Sequence, residues 1–491
     1  MKTIREIHDA FDSGKTSPLE LTKKFFSNIA QSKHNAYITL CEDRALAQAE
    51  RLTTELKTKH GGKVPRSTYP LYGIPLGIKD VLTMDGVRTT CASKMLDNYI
   101  APYTATAVKK LEDAGVISLG KLNMDEFAMG SSNENSAYGP VLHPTHLDRV
   151  PGGSSGGSAT AVAADLCVAA LGTDTGGSIR LPASFCGIVG MKPTYGRISR
   201  YGQIAFASSL DQIGPMTKTV EDAALLCQVM SGVDMYDSTT STEAVGDWVK
   251  VVRDTAANPT SKGLRIGIPK EYFIDGIDAE VRIAIDSMIA KFRADGAEIV
   301  PISLPHTEYA VATYYVVAVS EASSNLSRFD GVRFGVRPKA AMEAGSLSEF
   351  YKKVRANFGP EVKRRIILGT FALSSGYYDA YYRRAGQVRR LMREDFEKAF
   401  EKVDVIVSAV SPTTAFKLGE KAKNPLQMYL TDIFTIPASM AGLPSMSVPV
   451  AKDHQGLPIG LHLIAPRFKE DVLFRAGTIA EKLALFNGGH P

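Results

Sequence analysis

Helix-like and strand-like segments alternate along this 491-residue chain, which predicts an α/β fold with helices packed over a sheet. Two stretches carry that expectation. Val281, Ile285, Met288, Ile289 and Phe292 form one helical stripe, ended near Gly296, between the strand-like runs Leu264–Ile268 and Glu298–Ile302. A strand, a helix and a strand in that order form a βαβ unit, so the expected pairing is parallel. From Ser158 to Gly172 the chain is dominated by Ala, Val and Leu, as expected for a tightly packed helix running into a buried strand. No Ser/Gly-rich or Pro-rich linker, low-complexity tract or solenoid-spaced repeat interrupts the chain, so residues 1–491 are expected to form one domain.

Taken in order, the first signal is Ser17-Pro18-Leu19-Glu20, a capping box with proline at the first helical position. It opens a helix through about Gln31, within a helical N-terminal segment of about residues 1–68. Leu71 to Asp80 is an apolar run with two glycines that ends in Lys79-Asp80, read as a buried strand carrying its charge inward at one end. A serine- and glycine-rich core follows, to about residue 215. Lys57–Ser67 and Asp234–Asn258 are the most polar stretches and are read as surface excursions, the second as a soft boundary.

Composition excludes several classes. With 57 Lys and Arg against 52 Asp and Glu, the net charge of +5 is a mild, dispersed excess and does not point to nucleic-acid binding. The five cysteines lack Cys-x-x-Cys spacing, so no metal is expected, and reduced thiols in a cytoplasmic protein fit best; Cys167 and Cys186 sit in apolar surroundings suited to a structural role. Met1–His8 is charged and helical with no apolar core behind it, and no apolar run approaches a membrane span.

The chemistry concentrates in residues 151–180, where Ser154 and Ser178 each follow a glycine pair. Glycine lets the backbone approach closely, so each hydroxyl can stand beside bare N–H groups able to hold an oxyanion. Gly152 to Gly157 matches the glycine spacing of a phosphate loop, but Ser158-Ala159 stands where Lys and a hydroxyl residue are required. Gly152-Gly-Ser-Ser-Gly156 also satisfies the nucleophile-elbow pattern, which leaves a His-dependent α/β-hydrolase centred on Ser154 as a rival.

A serine nucleophile needs a base. His143 and His146 lie in a Pro-rich polar segment, His306, His454 and His490 follow turn signals and are read as solvated, and His462 is read as an ordinary strand residue. Lys79 is the better candidate. Desolvation lowers a lysine pKa by up to about 3–5 units, leaving a useful neutral fraction near pH 7. The competing reading of Lys79 is a strand-end residue paired with Asp80.

The run Gly152-Gly-Ser-Ser-Gly-Gly-Ser158, Asp174-Thr-Gly-Gly-Ser-Ile-Arg180 and Gly77-Ile-Lys79 together resemble the amidase signature family. The resemblance implies a single large mixed β-sheet flanked by helices on both faces. It also implies a Ser–cis-Ser–Lys triad: Ser178 as nucleophile, Ser154 as the bridging serine in a cis peptide, and Lys79 as base. The N–H groups around Thr175, Gly176 and Gly177 would form the oxyanion hole.

Further stretches resemble the branch of that family that hydrolyses glutamine within tRNA-dependent amidotransferases. They include Gly120–Gly130, Gly190–Gly196, Ala205–Pro215, Ser323–Gly331 and Leu368–Tyr382. A free-standing amidase acting on another carboxamide is the alternative. A glutamine pocket must read a zwitterion, and the resemblance assigns the ammonium to Asp432, the carboxylate to Arg365 and substrate positioning to Tyr314. Arg suits a carboxylate because it binds in a bidentate fork. Arg365 lies in the charged helical run Glu361-Val-Lys-Arg-Arg365, where the residues alone read as solvated and Arg364 is a one-residue-shift competitor. One departure is Ser408-Ala409-Val410, where the family usually carries a Pro-Thr pair.

The resemblance also implies two companion subunits: one that binds tRNA and works as kinase and transamidase, and a small linker. The substrate tRNA would be Glu-tRNA(Gln), with Asp-tRNA(Asn) as a second candidate, contacted mainly by the first partner. ATP and Mg would act there, with no cofactor in this chain.

Overall fold

The computed structural model describes residues 3–422 and 424–484. Its strands, in chain order, are β1 (Tyr37–Leu40), β2 (Pro75–Lys79), β3 (Ile117–Leu122), β4 (Ala169–Asp174), β5 (Val189–Lys192) and β6 (Gln212–Thr217). They continue with β7 (Arg265–Pro269), β8 (Glu298–Ile302), β9 (Val405–Ala409), β10 (Ser445–Lys452) and β11 (Pro458–Ile464). All join one sheet in the order β1-β3-β2-β4-β6-β5-β10-β11-β9-β7-β8.

The βαβ expectation holds: the helix Ala279–Ala294 connects β7 to β8, which pair in parallel from Arg265↔Glu298 to Pro269↔Ile302. The stripe residues from Val281 to Phe292 are its buried side. Parallel pairing also joins β2 to β3 and β4, and β7 to β9, but the middle of the sheet runs antiparallel through β4, β6, β5, β10, β11 and β9. The sheet is therefore mixed, as the resemblance implied.

Helices flank both faces. A Cβ at Gly477, in the helix Glu470–Ala484, would stand 2.8 Å from Met446 Sδ. A Cβ at Gly460 would meet Ser184 Oγ, from the helix Arg180–Cys186, at 2.6 Å and Ser447 Oγ at 2.7 Å. Met446 and Ser447 are neighbours on β10 and so point to opposite faces. The two helices sandwich the antiparallel centre of the sheet.

Ser17 caps the helix Pro18–Gln31 by accepting from the Glu20 N–H at 3.2 Å. The N-terminal segment is not wholly helical, since β1 pairs with the edge of β3. The stretch 234–258 is also no boundary: Trp248 opens the helix Trp248–Ala257, is buried, and packs against Phe474 at 5.7 Å between ring centroids. Four of the five cysteines, Cys167 and Cys186 among them, are buried free thiols. No helix among the described residues is long and apolar enough to cross a membrane.

Candidate active site

Two neighbouring parallel strands deliver the chemistry to one place. β2 pairs with β4 from Leu76↔Ala169 to Ile78↔Leu171, so Lys79 comes level with Gly172 and its side chain reaches the next residue, Thr173. Lys79 is fully buried, and its Nζ lies 2.8 Å from Ser154 Oγ, 2.8 Å from Ser155 Oγ and 2.9 Å from Thr173 Oγ1. Burial pulls its ammonium down to about 7, opposed by Asp125, Asp174 and Asp211. A neutral lysine donates two hydrogen bonds and accepts one. Ser155 Oγ spends its own proton on Thr173 O at 3.2 Å, so it accepts from Nζ, as Thr173 Oγ1 can, which leaves the Nζ lone pair for Ser154 O–H.

Asp80 faces the other way, to Lys121 Nζ at 2.9 Å, and is not the partner of Lys79. Successive strand residues alternate in direction, which is why these neighbours separate.

The Gly153–Ser154 peptide bond is cis, as the resemblance implied. Ser154 and Ser155 precede the helix Gly156–Ala163, and the Ser155 N–H donates to Ser178 O at 3.2 Å, joining the two serine loops. Asp125 packs against Gly153, and burial lifts its carboxyl to about 6.

The loop from Thr175 to Ser178 is tied at both ends. Asp174 accepts from the N–H of Ile179 at 3.1 Å and pairs with the Arg180 guanidinium at 2.9 Å, with both side chains fully buried. Arg180 also donates to Thr435 O, Ser439 Oγ and His462 Nε2 at 2.8–3.0 Å. Thr435 Oγ1 donates to Gly176 O at 2.7 Å. Among the described residues, no protein acceptor takes the N–H groups of Gly176, Gly177 or Ser178, and Ser178 Oγ has no partner. Ser178 is 8 % exposed, enough to meet a small substrate.

Two of the residues assigned to substrate, Tyr314 and Asp432, meet this loop. A Cβ at Gly176 would lie 2.8 Å from Tyr314 Cζ, and one at Gly177 would lie 2.7 Å from Asp432 Oδ1. Glycine is what brings the loop this close to both. Asp432 is buried, Ser131 donates to its Oδ2, and its Oδ1 has no partner. Burial lifts its carboxyl to about 7.

Arg365 is 3 % exposed, which corrects the solvated reading, while the Arg364 side chain remains 46 % exposed. Arg365 Nε donates to Glu361 Oε1 at 2.8 Å, and its guanidinium lies 5.4–5.8 Å from the rings of Tyr315, Phe206 and Tyr429. Glu361 holds the back of the guanidinium, with Tyr429 O–H donating to the same oxygen at 3.1 Å. The structure thus separates the two arginines, and the buried one is the recognition candidate.

The histidines do not serve the serines. Among the described residues none hydrogen-bonds Ser154 or Ser178. His462 is buried on β11 with Arg180 donating to it, a fixed network member rather than an ordinary strand residue, and Ser408 of the departing stretch lies 3.4 Å from its Nδ1. His143 is buried, with Nε2 2.9 Å from Phe185 O and Nδ1 accepting from the N–H groups of Thr145 at 3.3 Å and His146 at 3.2 Å. His306 pairs with Asp395 at 3.0 Å, His454 is exposed, and His490 lies outside the described residues. No cluster of three or more His, Cys, Asp or Glu placed to hold a metal occurs among the described residues.

Sequence reasoning missed Ser131, Ser155, Thr173, Asp211 and Glu361. Only Ser155 carried a local signal, its place inside the glycine run.

The family model described as Amidase matches residues 20–474, and the chain belongs to the amidase family. Within it, the chain is 55 % identical over 450 residues to the glutamyl-tRNA(Gln) amidotransferase A-subunit of Acidobacterium capsulatum, covering 91 % of this chain and 92 % of the relative. The Geobacter metallireducens protein of the same name is 52 % identical, covering 98 % and 96 %. Among solved structures, the glutamyl-tRNA(Gln) amidotransferase A-subunit from Thermotoga maritima superposes with a TM-score of 0.79 at 41 % identity, covering 100 % of this chain and 96 % of that one. The native peptide amidase of Stenotrophomonas maltophilia gives 0.79 at 28 % identity, covering 98 % and 96 %.

Proposed function

We propose that this chain is the glutamine-hydrolysing subunit of a tRNA-dependent amidotransferase. Neutral Lys79 takes a proton from Ser154 as Ser154 takes one from Ser178, and Ser178 Oγ attacks the side-chain carbonyl carbon of glutamine. The N–H groups at 175–177 hold the tetrahedral oxyanion. Collapse breaks the C–N bond, and the proton on Lys79 returns through Ser154 to the departing nitrogen as ammonia. Water then cleaves the Ser178 ester to glutamate by the same relay.

Asp432 takes the substrate ammonium, Arg365 its carboxylate, and Tyr314 fixes the side chain between them. The ammonia passes to a companion tRNA-binding subunit, where ATP and Mg activate misacylated Glu-tRNA(Gln); a small linker subunit completes the assembly. The names of the relatives in Acidobacterium and Geobacter support this reading over a free-standing amidase. The observation that carries it is the buried Asp432 carboxylate, its Oδ1 unpartnered and set against Gly177: an anion waiting for a cation beside the nucleophile loop. A neutral carboxamide substrate offers such a group no charge to pair with.

Two measurements test the reading. Ser178→Ala is expected to abolish ammonia release and covalent trapping, while Ser154→Ala slows turnover severely yet still allows slow labelling of Ser178; mass mapping of the ester to Ser154 would overturn the relay. Asp432→Asn is expected to cost about 3–5 kcal/mol in kcat/KM for glutamine, the scale of a broken buried charge pair, and to leave an uncharged primary amide nearly unaffected. Equal losses on both substrates would remove glutamine from the assignment.

A further inference from the structure

The antiparallel ladder between β4 and β6 ends at Asp174↔Gln212, where β4 gives way to the nucleophile loop. The next position in that register would set Thr175 opposite Asp211. The contact continues there through side chains: Thr175 Oγ1 donates to Asp211 Oδ1 at 2.7 Å. Asp211 is 1 % exposed and also accepts from the N–H groups of Phe206, at 2.9 Å, and Ala207, at 3.1 Å to each oxygen.

The segment holding Asp211 is itself anchored. Ser209 donates through N–H and Oγ to Glu321 at 2.8 and 2.6 Å, and Arg389 donates to Ser209 Oγ and O at 2.7 and 2.9 Å. Phe206, at the start of the segment, lies beneath Arg365. Asp211 is thus a fixed point on a braced segment. The other ties act on the later part of the loop: Thr435 on Gly176 O, the Leu181 N–H on Gly177 O, the Ser155 N–H on Ser178 O, and Asp174 on the Ile179 N–H. Among the described residues, the Asp211 contact is the one hydrogen bond on its first residue.

We propose that Asp211 is a positioning residue of the amide-hydrolysing site: acting through the Thr175 hydroxyl, it aims the N–H groups at 175–177 where the oxyanion forms over Ser178. The inference rests on the reading of Ser178 as nucleophile. Orientation of oxyanion donors matters to the transition state more than to the bound substrate, so the signature belongs in kcat and not in KM.

The test uses the full chain co-expressed with its companion subunits, assayed on glutamine and on an uncharged primary amide. Thr175→Val, which keeps shape and removes the hydroxyl, is expected to lower kcat about tenfold to a hundredfold on both substrates with KM changed by less than about twofold. Thr175→Ser, which restores the donor, is expected to recover most of that loss. The double variant Thr175→Val with Asp211→Asn is expected to be no slower than the slower of the two single variants, because both act on one contact. Should Asp211→Asn fail to fold, the Thr175 pair decides by itself.

Wild-type kcat in Thr175→Val, a serine variant as slow as the valine one, or a loss residing in KM would overturn the proposal. A wild type that cleaves the neutral amide but not glutamine would sink the glutamine reading alone, since positioning is then still read on the amide.

Discussion

Lys79 and Asp432 are both buried, and burial moves both toward about 7 from opposite sides: the ammonium down, the carboxylic acid up. In the proposed mechanism each must be deprotonated, Lys79 to accept a proton and Asp432 to meet the substrate ammonium. A fall in pH through about 7 therefore removes both functions together. The expected profile of log(kcat/KM) for glutamine rises with a slope approaching about two on its acid side, and Asp432→Asn reduces that slope to about one. A wild-type slope of one would mean that only one of these groups titrates in catalysis. Lys79→Arg keeps a charge that cannot dissociate in this range, so ammonia release is expected to be as low as in Lys79→Ala. Lys79, Ser154 and Ser178 were legible because glycine-flanked serines and a lysine ending an apolar run are local signals. Ser131 and Glu361 were not, because each is an ordinary polar residue until the fold sets it against Asp432 or Arg365.

Two packed helices hold side chains of the proposed glutamine pocket, Tyr314 on Ala310–Asn325 and Arg365 on Pro360–Ala372. Their backbones come close at Gly369, where a Cβ would stand 1.9 Å from Val319 O. Backbone cannot yield as a flexible side chain does, so Gly369→Ala is expected to push the helices apart at a cost of about 1–3 kcal/mol. A lower melting temperature together with a raised KM for glutamine checks it, and unchanged values would show that the helices part freely. Glu361→Gln keeps the shape but loses the charge behind Arg365, so KM for glutamine is expected to rise while an amide without a carboxylate is unaffected. Helices with a clean apolar stripe, such as Ala279–Ala294, were readable from periodicity. The helix bearing Arg365 was not: its Glu-Val-Lys-Arg-Arg run looks solvent-facing, and only packing against Phe206, Tyr315 and Tyr429 makes one of its two arginines a buried residue.

Across the whole molecule, the Asp174–Arg180 pair ties the nucleophile loop to distant parts of the chain, through Thr435, Ser439 and His462 on β11. Removing one member of a fully buried pair leaves the other charge without compensation, so Arg180→Met is expected to destabilise the protein by about 3–5 kcal/mol. Urea unfolding at neutral pH checks this, and a midpoint like that of the wild type would show that Asp174 finds other partners. The sequence by itself determined the α/β class, the parallel unit at β7 and β8, and the two serine loops with their lysine, because periodicity and glycine-serine spacing act over a few residues. The tertiary structure alone decided the antiparallel centre of the sheet, the burial of Arg365 with Arg364 left exposed, and the anchoring of the serine loop by Asp211, Thr435 and Arg180. Those depend on which strands become neighbours and which polar groups lose water, and residues as far apart as 174 and 439 meet only once the chain has folded.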